Sequence, residues 1–479
     1  MSNATVAIIG GGFSGTVAAI RLLSSPRSGG PTLPFGSKIV LVEPGRAGEG
    51  LAYRAGPDYW RLNVPARKMS AFPEKPDDFL AFARGRNPLV SGGDFLPRSW
   101  YGDYLSDRLE AAKSRSPRWL SFERLRTRAT AIEAARSSAR IWLADGGVIE
   151  ADRVLLALGN SPAAAPLAGA ADVVDHAWNL RWTERLPTYV PRVLLVGTGL
   201  TMIDVALAIS ERRPDARMTA ISRHGLLPLP HEDGTQKAAP HFDAGALLGR
   251  GPLSRRLRSF RAQVEASGGD WRAALQQVRE GMPALWRAAP RPLRRRFMRH
   301  LRAYWDVHRH RVPTETLRRI ETMCGKKRLE VRAGRIVETR RIKDGVVVAW
   351  RPRGGDQVRE ELFDAVVKVT GPDGNPNRSS CPLVKSLVDQ GLCEPDGLGL
   401  GWGADPDGRL FDADGNASQV IFYAGPLLRA RHWEATAVPE LRLHLARTAS
   451  AIAASLATGA GSYVRRVASP IFRREQQAY

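Results

Sequence analysis

Short apolar runs closed by glycine, each followed by a stretch of helical character, punctuate this chain. Thr5-Val-Ala-Ile-Ile9 is the first and predicts a strand. Gly10-Gly11-Gly12 ends it, and Phe13–Leu23 follows as a helix with small residues on its early turns. A Pro/Gly/Ser loop, Ser24–Ser37, leads to a second strand, Lys38–Val42. Residues 119–158 read as β-rich segments, Ile141–Leu143 and Val154–Leu158, with a turn at Asp145-Gly146-Gly147 between them. A second strand–glycine–helix unit opens at Arg192, and Met218–Ser222 is its next strand. Residues 250–311 are helical in pattern, with turns at Gly268-Gly269 and Pro290–Pro292. Residues 328–352 return to strands around Lys343-Asp344-Gly345, and Ala435–Leu456 reads as a long amphipathic helix. No internal repeat beyond the two glycine units is visible.

The glycine turns carry the candidate chemistry. Gly10-Gly11-Gly12-Phe13-Ser14-Gly15 is GxGxxG between an apolar strand and a helix. Gly10 permits the tight turn, Gly12 lets backbone approach a pyrophosphate, and Gly15 lets helix and strand pack closely. The helix N-terminus, beginning at Phe13 and Ser14, offers free N–H groups to phosphate. Glu43 ends the second strand, where an acid accepts hydrogen bonds from a ribose. Its separation from Gly15 exceeds the usual spacing because of the Pro/Gly loop. Two further apolar strands end in glycine, at Gly159 and Gly371. Such crossings recur in flavoproteins with two dinucleotide folds, and they favour FAD over NAD at the first turn. The strand Ala365–Thr370 is therefore expected back in the first fold.

The second turn is less complete. Arg192-Val-Leu-Leu-Val196 is followed by Gly197, Thr198, Gly199 and Leu200, but Met202 stands where the third glycine belongs. That predicts looser helix–strand packing or a shifted helix. Arg223 follows the next strand, where an NAD-preferring fold tends to carry an acid. A guanidinium there can pair a 2′-phosphate bidentately, which favours NADPH.

The order predicts an α/β chain of two Rossmann-like dinucleotide-binding domains, the second inserted in the first, plus a helical basic insertion. The expected segments are 1–165 and 356–479 for the FAD-binding domain, 166–245 and 319–355 for the NAD(P)H-binding domain, and 246–318 for the insertion. Charge sharpens the last of these. The net charge is +23, and residues 250–311 hold sixteen arginines against Glu265, Asp270, Glu280 and Asp306. The segment suits solvated helix faces or an anion site. Its aromatics fall at helical rather than stacking-platform spacing, which argues against nucleic acid. No apolar stretch is long enough for a membrane span. The N-terminus lacks a signal-peptide pattern, and three scattered cysteines form neither a disulfide framework nor a CxxC pair nor a zinc site. These features point to a cytoplasmic chain with no resident metal.

Several longer motifs then carry a resemblance. They are Gly50-Leu-Ala-Tyr53; Leu62-Asn63-Val64-Pro65-Ala66 with Met69-Ser70; Pro97-Arg98 with Tyr101-Gly102-Asp103-Tyr104-Leu105; Ser222–Pro228; Phe297–Arg311; and Trp433–Arg442. With them the chain resembles the FAD/NAD(P)-binding flavoprotein family whose FAD domain is shared by urate hydroxylases and aspartate N-monooxygenases. More remotely it resembles ornithine and lysine N-hydroxylases. The resemblance spans nearly the whole chain and implies fold and cofactor better than substrate. It implies that Gly10, Gly12, Gly15 and Glu43 hold the ADP half of FAD and that Asn63 to Met69 lie near the flavin. One departure is visible: the strand before Gly425 is followed by Pro426 and Leu427, not by the aspartate that many flavoproteins place on the ribityl chain. The backbone and the helix beginning near Glu434 are expected to take over that contact.

The reaction implied is reduction of FAD by NADPH, capture of dioxygen as a C4a-(hydro)peroxyflavin, and oxygenation of a small polar or anionic substrate. An NADPH oxidase or flavin dehydrogenase, and a basic nucleic-acid-binding flavoprotein, stay open beside it. Leu293–Arg311, read as one helix, places Phe297, Leu301, Tyr304, Trp305 and His308 on one face. It is the candidate substrate lid, and His300 and His308 are its candidate acid–base residues.

Overall fold

The computed structural model describes residues 3–24, 31–160, 173–174, 177–231, 253–266 and 271–457. The expected boundaries at 165/166 and 245/246 and the turn at Gly268-Gly269 lie outside the described residues. So do residues 25–30 of the Ser24–Ser37 loop. The chain divides into two compact units: residues 1–56, 65–160 and 374–479, and residues 57–64 and 161–373.

The first unit opens with β1 (Thr5–Ile9), α1 (Phe13–Leu23) and β2 (Lys38–Val42), and continues through α2 (Asp78–Arg86) and α3 (Arg98–Arg115). Five strands follow: β3 (Ser121–Leu125), β4 (Ala129–Ala134), β5 (Ala139–Leu143), β6 (Val148–Ala151) and β7 (Arg153–Leu156). The second unit carries β8 (Val173–Val174), β9 (Arg192–Val196), α4 (Leu200–Arg212) and β10 (Arg217–Ser222). Its helices are α5 (Leu253–Ala266), α6 (Trp271–Ala288), α7 (Arg291–His300), α8 (Arg302–Arg309) and α9 (Thr314–Gly325). Then come β11 (Leu329–Ile342), β12 (Gly345–Pro352), β13 (Arg359–Phe363) and β14 (Ala365–Lys368). The first unit resumes with α10 (Pro382–Asp389), β15 (Arg409–Phe411), β16 (Ala417–Tyr423) and α11 (Val438–Ala457).

In the first unit the sheet order is β15-β16-β7-β1-β2-β3. All pairings are parallel except β15 with β16. The central strands are apolar without alternation because both faces are covered: Val6, Ala7 and Ile8 are fully buried. Every residue of α1 is buried, and it packs on α3 and α11. A separate antiparallel sheet, β4-β5-β6, accounts for the Asp145-Gly146-Gly147 turn.

The second unit's sheet order is β13-β12-β11-β10-β9-β14-β8. β11 serves two partners. Leu329–Ala333 runs parallel to β10, and Gly334–Ile342 forms an antiparallel hairpin with β12. Val193, Leu195, Met202, Val205, Ile209 and Met218 are core residues of this unit.

Three expectations need correction. β14 pairs with β9 and β8, so it belongs to the second sheet, and the chain returns to the first unit after Asp373, not at 356. An apolar strand of four residues suits either parallel sheet, and only the pairing distinguishes them. Leu293–Arg311 is not one helix. It breaks at Leu301 (φ −113°, ψ −23°), between α7 and α8, with no proline or glycine to mark the break. The last helix starts at Val438 rather than Ala435. Pro439 stands in its first turn, where its missing N–H costs nothing.

Candidate nucleotide-binding sites

The first glycine turn is built by close backbone approach. Gly10 has φ +101°, and its N–H donates to Val42 O at 2.9 Å. A Cβ on Gly10 would lie 2.5 Å from Ala157 O, and one on Gly15 would lie 1.7 Å from Gly10 O. Only glycine lets α1 and the neighbouring strand end meet this turn. Gly12 is the N-cap of α1, and no side chain caps the helix. The first turn beginning at Phe13 and Ser14 contains no acid, so its N–H groups and dipole suit an anion. Thr16 Oγ1 donates to Gly11 O at 2.9 Å and holds the turn from behind.

Glu43 is fixed at the end of β2. Its Oε2 accepts Gly11 N–H and its Oε1 accepts Gly45 N–H, each at 2.7 Å. A carboxylate oxygen has more than one acceptor direction, so both keep capacity for a hydroxyl. Gly159 (φ +66°) stands two residues beyond Ala157, and a Cβ there would meet nothing within 4 Å. Gly425 follows β16, whose end pairs with β7; a side chain on it would crowd the Tyr423 hydroxyl at 2.6 Å. That hydroxyl accepts Leu427 N–H, and a short 3-10 helix, Pro426–Ala430, follows in place of a Gly-Asp turn.

The motif around Tyr101 proves to be packing against the same helix. Phe13 stacks on Tyr101 with ring centroids 6.2 Å apart, and Tyr53 meets Tyr101 edge-on at 4.6 Å. Burial pushes the Tyr53 phenol up to about 12. Gly102 lies so close to Tyr53 O that a Cβ would reach 2.4 Å from it. Asp103 bridges Arg46 and Arg86 at 2.6 and 2.8 Å. Burial opposes its charge, yet these hydrogen bonds hold its carboxyl below the usual range. Met69 is buried at the end of a short 3-10 helix, Ala66–Lys68. Asn63 belongs to the second unit, where His231 Nε2 lies 3.0 Å from its carbonyl.

The second turn repeats the first with one change. Gly197 has φ +122°, donates to Ile221 O at 2.8 Å, and would place a Cβ 2.7 Å from Val369 O. Gly199 caps α4, which begins at Leu200 without a side-chain cap, and a Cβ on Gly199 would meet nothing within 4 Å. Two residues beyond Val369 stands Gly371 (φ +80°), again with open space where a side chain would go. Gly197, Val369 and Gly371 thus reproduce Gly10, Ala157 and Gly159. Gly371 therefore belongs to the second turn and not to the first. The α4 start is not shifted, since Leu200 follows Gly199 as Phe13 follows Gly12. Met202 fills the Gly15 position and is fully buried. The backbone contact made by Gly15 is barred there, and a core side chain replaces it.

Thr198 Oγ1 donates to Leu226 O at 2.6 Å and lies 2.8 Å from Ser222 Oγ, which accepts Gly225 N–H. This ties the second turn to the loop after β10. Arg223 opens that loop, exposed and with no hydrogen bond or ion pair among the described residues. His224, next to it, packs its ring on Tyr304 at 5.5 Å. Burial, then Arg353 and Arg223, push its imidazole below the ordinary value. Arg353 carries no motif of its own, and its place at this end of the sheet comes from strand pairing.

The two candidate acid–base histidines lie on different helices. His308 Nδ1 lies 2.8 Å from Tyr304 O, and its ring meets Trp271 edge-on at 4.9 Å. His300 is exposed at the end of α7, a helix with no buried residue. Among the described residues no cluster of His, Cys, Asp and Glu could hold a metal ion, and no helix is long and apolar enough to cross a membrane.

Residues 7–161 match the model of an FAD-NAD(P)-binding family. No curated protein is a significant match to the chain. Among solved structures, the chain is similar to the ornithine N-hydroxylase of Kutzneria sp. 744, solved with reduced FAD, NADP+ and L-ornithine. The identity is 19%, the match covers 96% of this chain and 99% of that one, and the TM-score is 0.61. The L-lysine 6-monooxygenase of Pseudomonas syringae gives 18% identity, 95% and 100% coverage and a TM-score of 0.65. The cadaverine monooxygenase of desferrioxamine biosynthesis from Erwinia amylovora gives 14%, 96% and 95%, and 0.61. The chain therefore carries an FAD-NAD(P)-binding domain at its N-terminus and has, over nearly its whole length, the two-dinucleotide fold of these structures.

Proposed function

We propose that the chain is an FAD-dependent, NADPH-using monooxygenase that acts on a small polar substrate. The observation that carries this reading is the duplicated cradle: Gly10, Gly12, Gly159 in one unit and Gly197, Gly199, Gly371 in the other. Each cradle combines an uncapped helix N-terminus with a glycine that borders open space, Gly159 in one and Gly371 in the other, which is the fit an extended dinucleotide requires. In the first, the N–H groups at Phe13 and Ser14 would face the FAD pyrophosphate and Glu43 the adenosine ribose. In the second, Gly197, Gly199 and Leu200 would hold NADPH, with Arg223 at its 2′-phosphate. FAD supplies the redox chemistry when bound; the chain supplies position, dryness and electrostatics.

The solved neighbours' names supply the first substrates to try, since they act on ornithine, lysine and cadaverine. The test is aerobic NADPH oxidation by the flavin-loaded chain with amino acids, diamines, purines and aromatic acids, scored for oxygenated product and for hydrogen peroxide. Substrate-dependent product formation supports the reading. Peroxide alone across the panel replaces it with an NADPH oxidase, and a purified chain that retains no FAD overturns it.

A further inference from the structure

Arg223 is not alone at its end of the sheet. Ser222, the last residue of β10, pairs with Ala333 of β11. Ala333 O in turn accepts the N–H of Arg353, the residue after β12, at 3.0 Å. At the spacing of adjacent strands, Arg223 and Arg353 leave the sheet roughly 10 Å apart, within the joint reach of two extended arginines. Gly225 (φ +62°) closes the loop onto the same edge, where a Cβ would lie 3.0 Å from Ala333 N.

Both guanidinium groups are exposed, and neither has a hydrogen bond or ion pair among the described residues. Arg332 takes up the acids nearby: it binds Glu330 at 2.6 Å and Glu361 at 2.5 Å. Both Arg223 and Arg353 act on His224, so their charges reach one place. Two like charges at one end of a sheet, with no acid bonded to either among the described residues, repel each other. A dianion between them turns that repulsion into two charge-assisted contacts.

We propose that Arg353 is the second arm of a two-arginine clamp for the 2′-phosphate of NADPH. Cofactor choice is then made jointly by the loop after β10 and the β11–β12 hairpin. The inference rests on the reading of the second unit as the nicotinamide site. It adds a residue that the glycine motif and its following strand do not indicate.

The test is calorimetric titration of the oxidised, FAD-loaded full-length chain with NADP+ and with NAD+, which requires no turnover. Arg351 is the control, a neighbouring exposed arginine on β12 that pairs with Arg335 further from Ala333. Arg353→Ala is expected to weaken NADP+ by about tenfold or more, as for loss of one charged hydrogen bond, with NAD+ unchanged within about twofold. Arg223→Ala should behave the same way, and Arg351→Ala should change NADP+ by less than about threefold. Melting curves of the variants should match the wild type, since all three side chains are exposed. The clamp is overturned if Arg353→Ala leaves NADP+ affinity in place, or if Arg351→Ala costs as much. Equal wild-type affinity for NADP+ and NAD+ removes the clamp and leaves the nucleotide site standing. Failure to bind either removes both.

Discussion

A methyl group on Gly15 would sit 1.7 Å from Gly10 O, while one on Gly85 in α2 would meet nothing within 4 Å. The two glycines therefore respond oppositely to alanine. Gly15→Ala must push α1 off β1 and should cost about 3 kcal/mol or more together with FAD retention. Gly85→Ala should raise the melting temperature, worth about 0.5–1 kcal/mol from helix propensity. Paired melting curves with flavin content check both, and a stable, flavin-loaded Gly15→Ala chain would refute the close-approach argument. The histidines separate in the same way. His308 is half-buried on Trp271 and His300 is exposed. His308→Ala is expected to lower oxygenated product per NADPH and His300→Ala to leave it. Full coupling in both variants would remove each from the chemistry. At this scale the close approaches of Gly10 and Gly15 were legible, because a turn against a neighbouring backbone excludes every side chain. Arg353 was not legible, because its link to the loop after β10 runs through Ala333 and joins segments distant in the chain.

Among the elements, β1, α1, β2 and β9 have the limits the apolar runs and glycines predicted. Glycine at a strand end stops the ladder and opens the helix that follows, so the boundary is written locally. β14 shows the opposite case: a short apolar strand carries no mark of the sheet it joins, and it went to β9. The break at Leu301 was equally unreadable, since no special residue type stands there, whereas β11 changes partners at Gly334, where a Cβ would lie 2.8 Å from Arg351 O. Met202 supplies a test at this scale. Because it is fully buried in the second unit's core, Met202→Gly should not restore a tighter fingerprint. It should cost about 2–5 kcal/mol through a cavity and a weakened helix, with NADP+ affinity falling or unchanged. Thermal unfolding and NADP+ titration measure the two effects, and a gain in affinity without loss of stability would show that packing at α4 is adjustable.

For the whole molecule, two cradles imply two ligands that bind the folded chain. Removing FAD and then adding it back at about one hundred times its Kd should recover about 2.7 kcal/mol of stability. NADP+ should add a further increment in the wild type and less in Arg223→Ala. A chain whose melting curve ignores added FAD would contradict the first cradle. The sequence alone determined what depends on near neighbours: apolar runs, glycine turns, the acid after β2, the arginine after β10, and the overall α/β class. Tertiary structure decided what depends on distant pairing. It gave Gly371 to the second turn, returned the chain to the first unit after Asp373, split the candidate lid at Leu301, and brought Arg353 beside Arg223. The division is physical: local sterics leave a signature in a few consecutive residues, whereas strand pairing selects partners by fit across the whole chain.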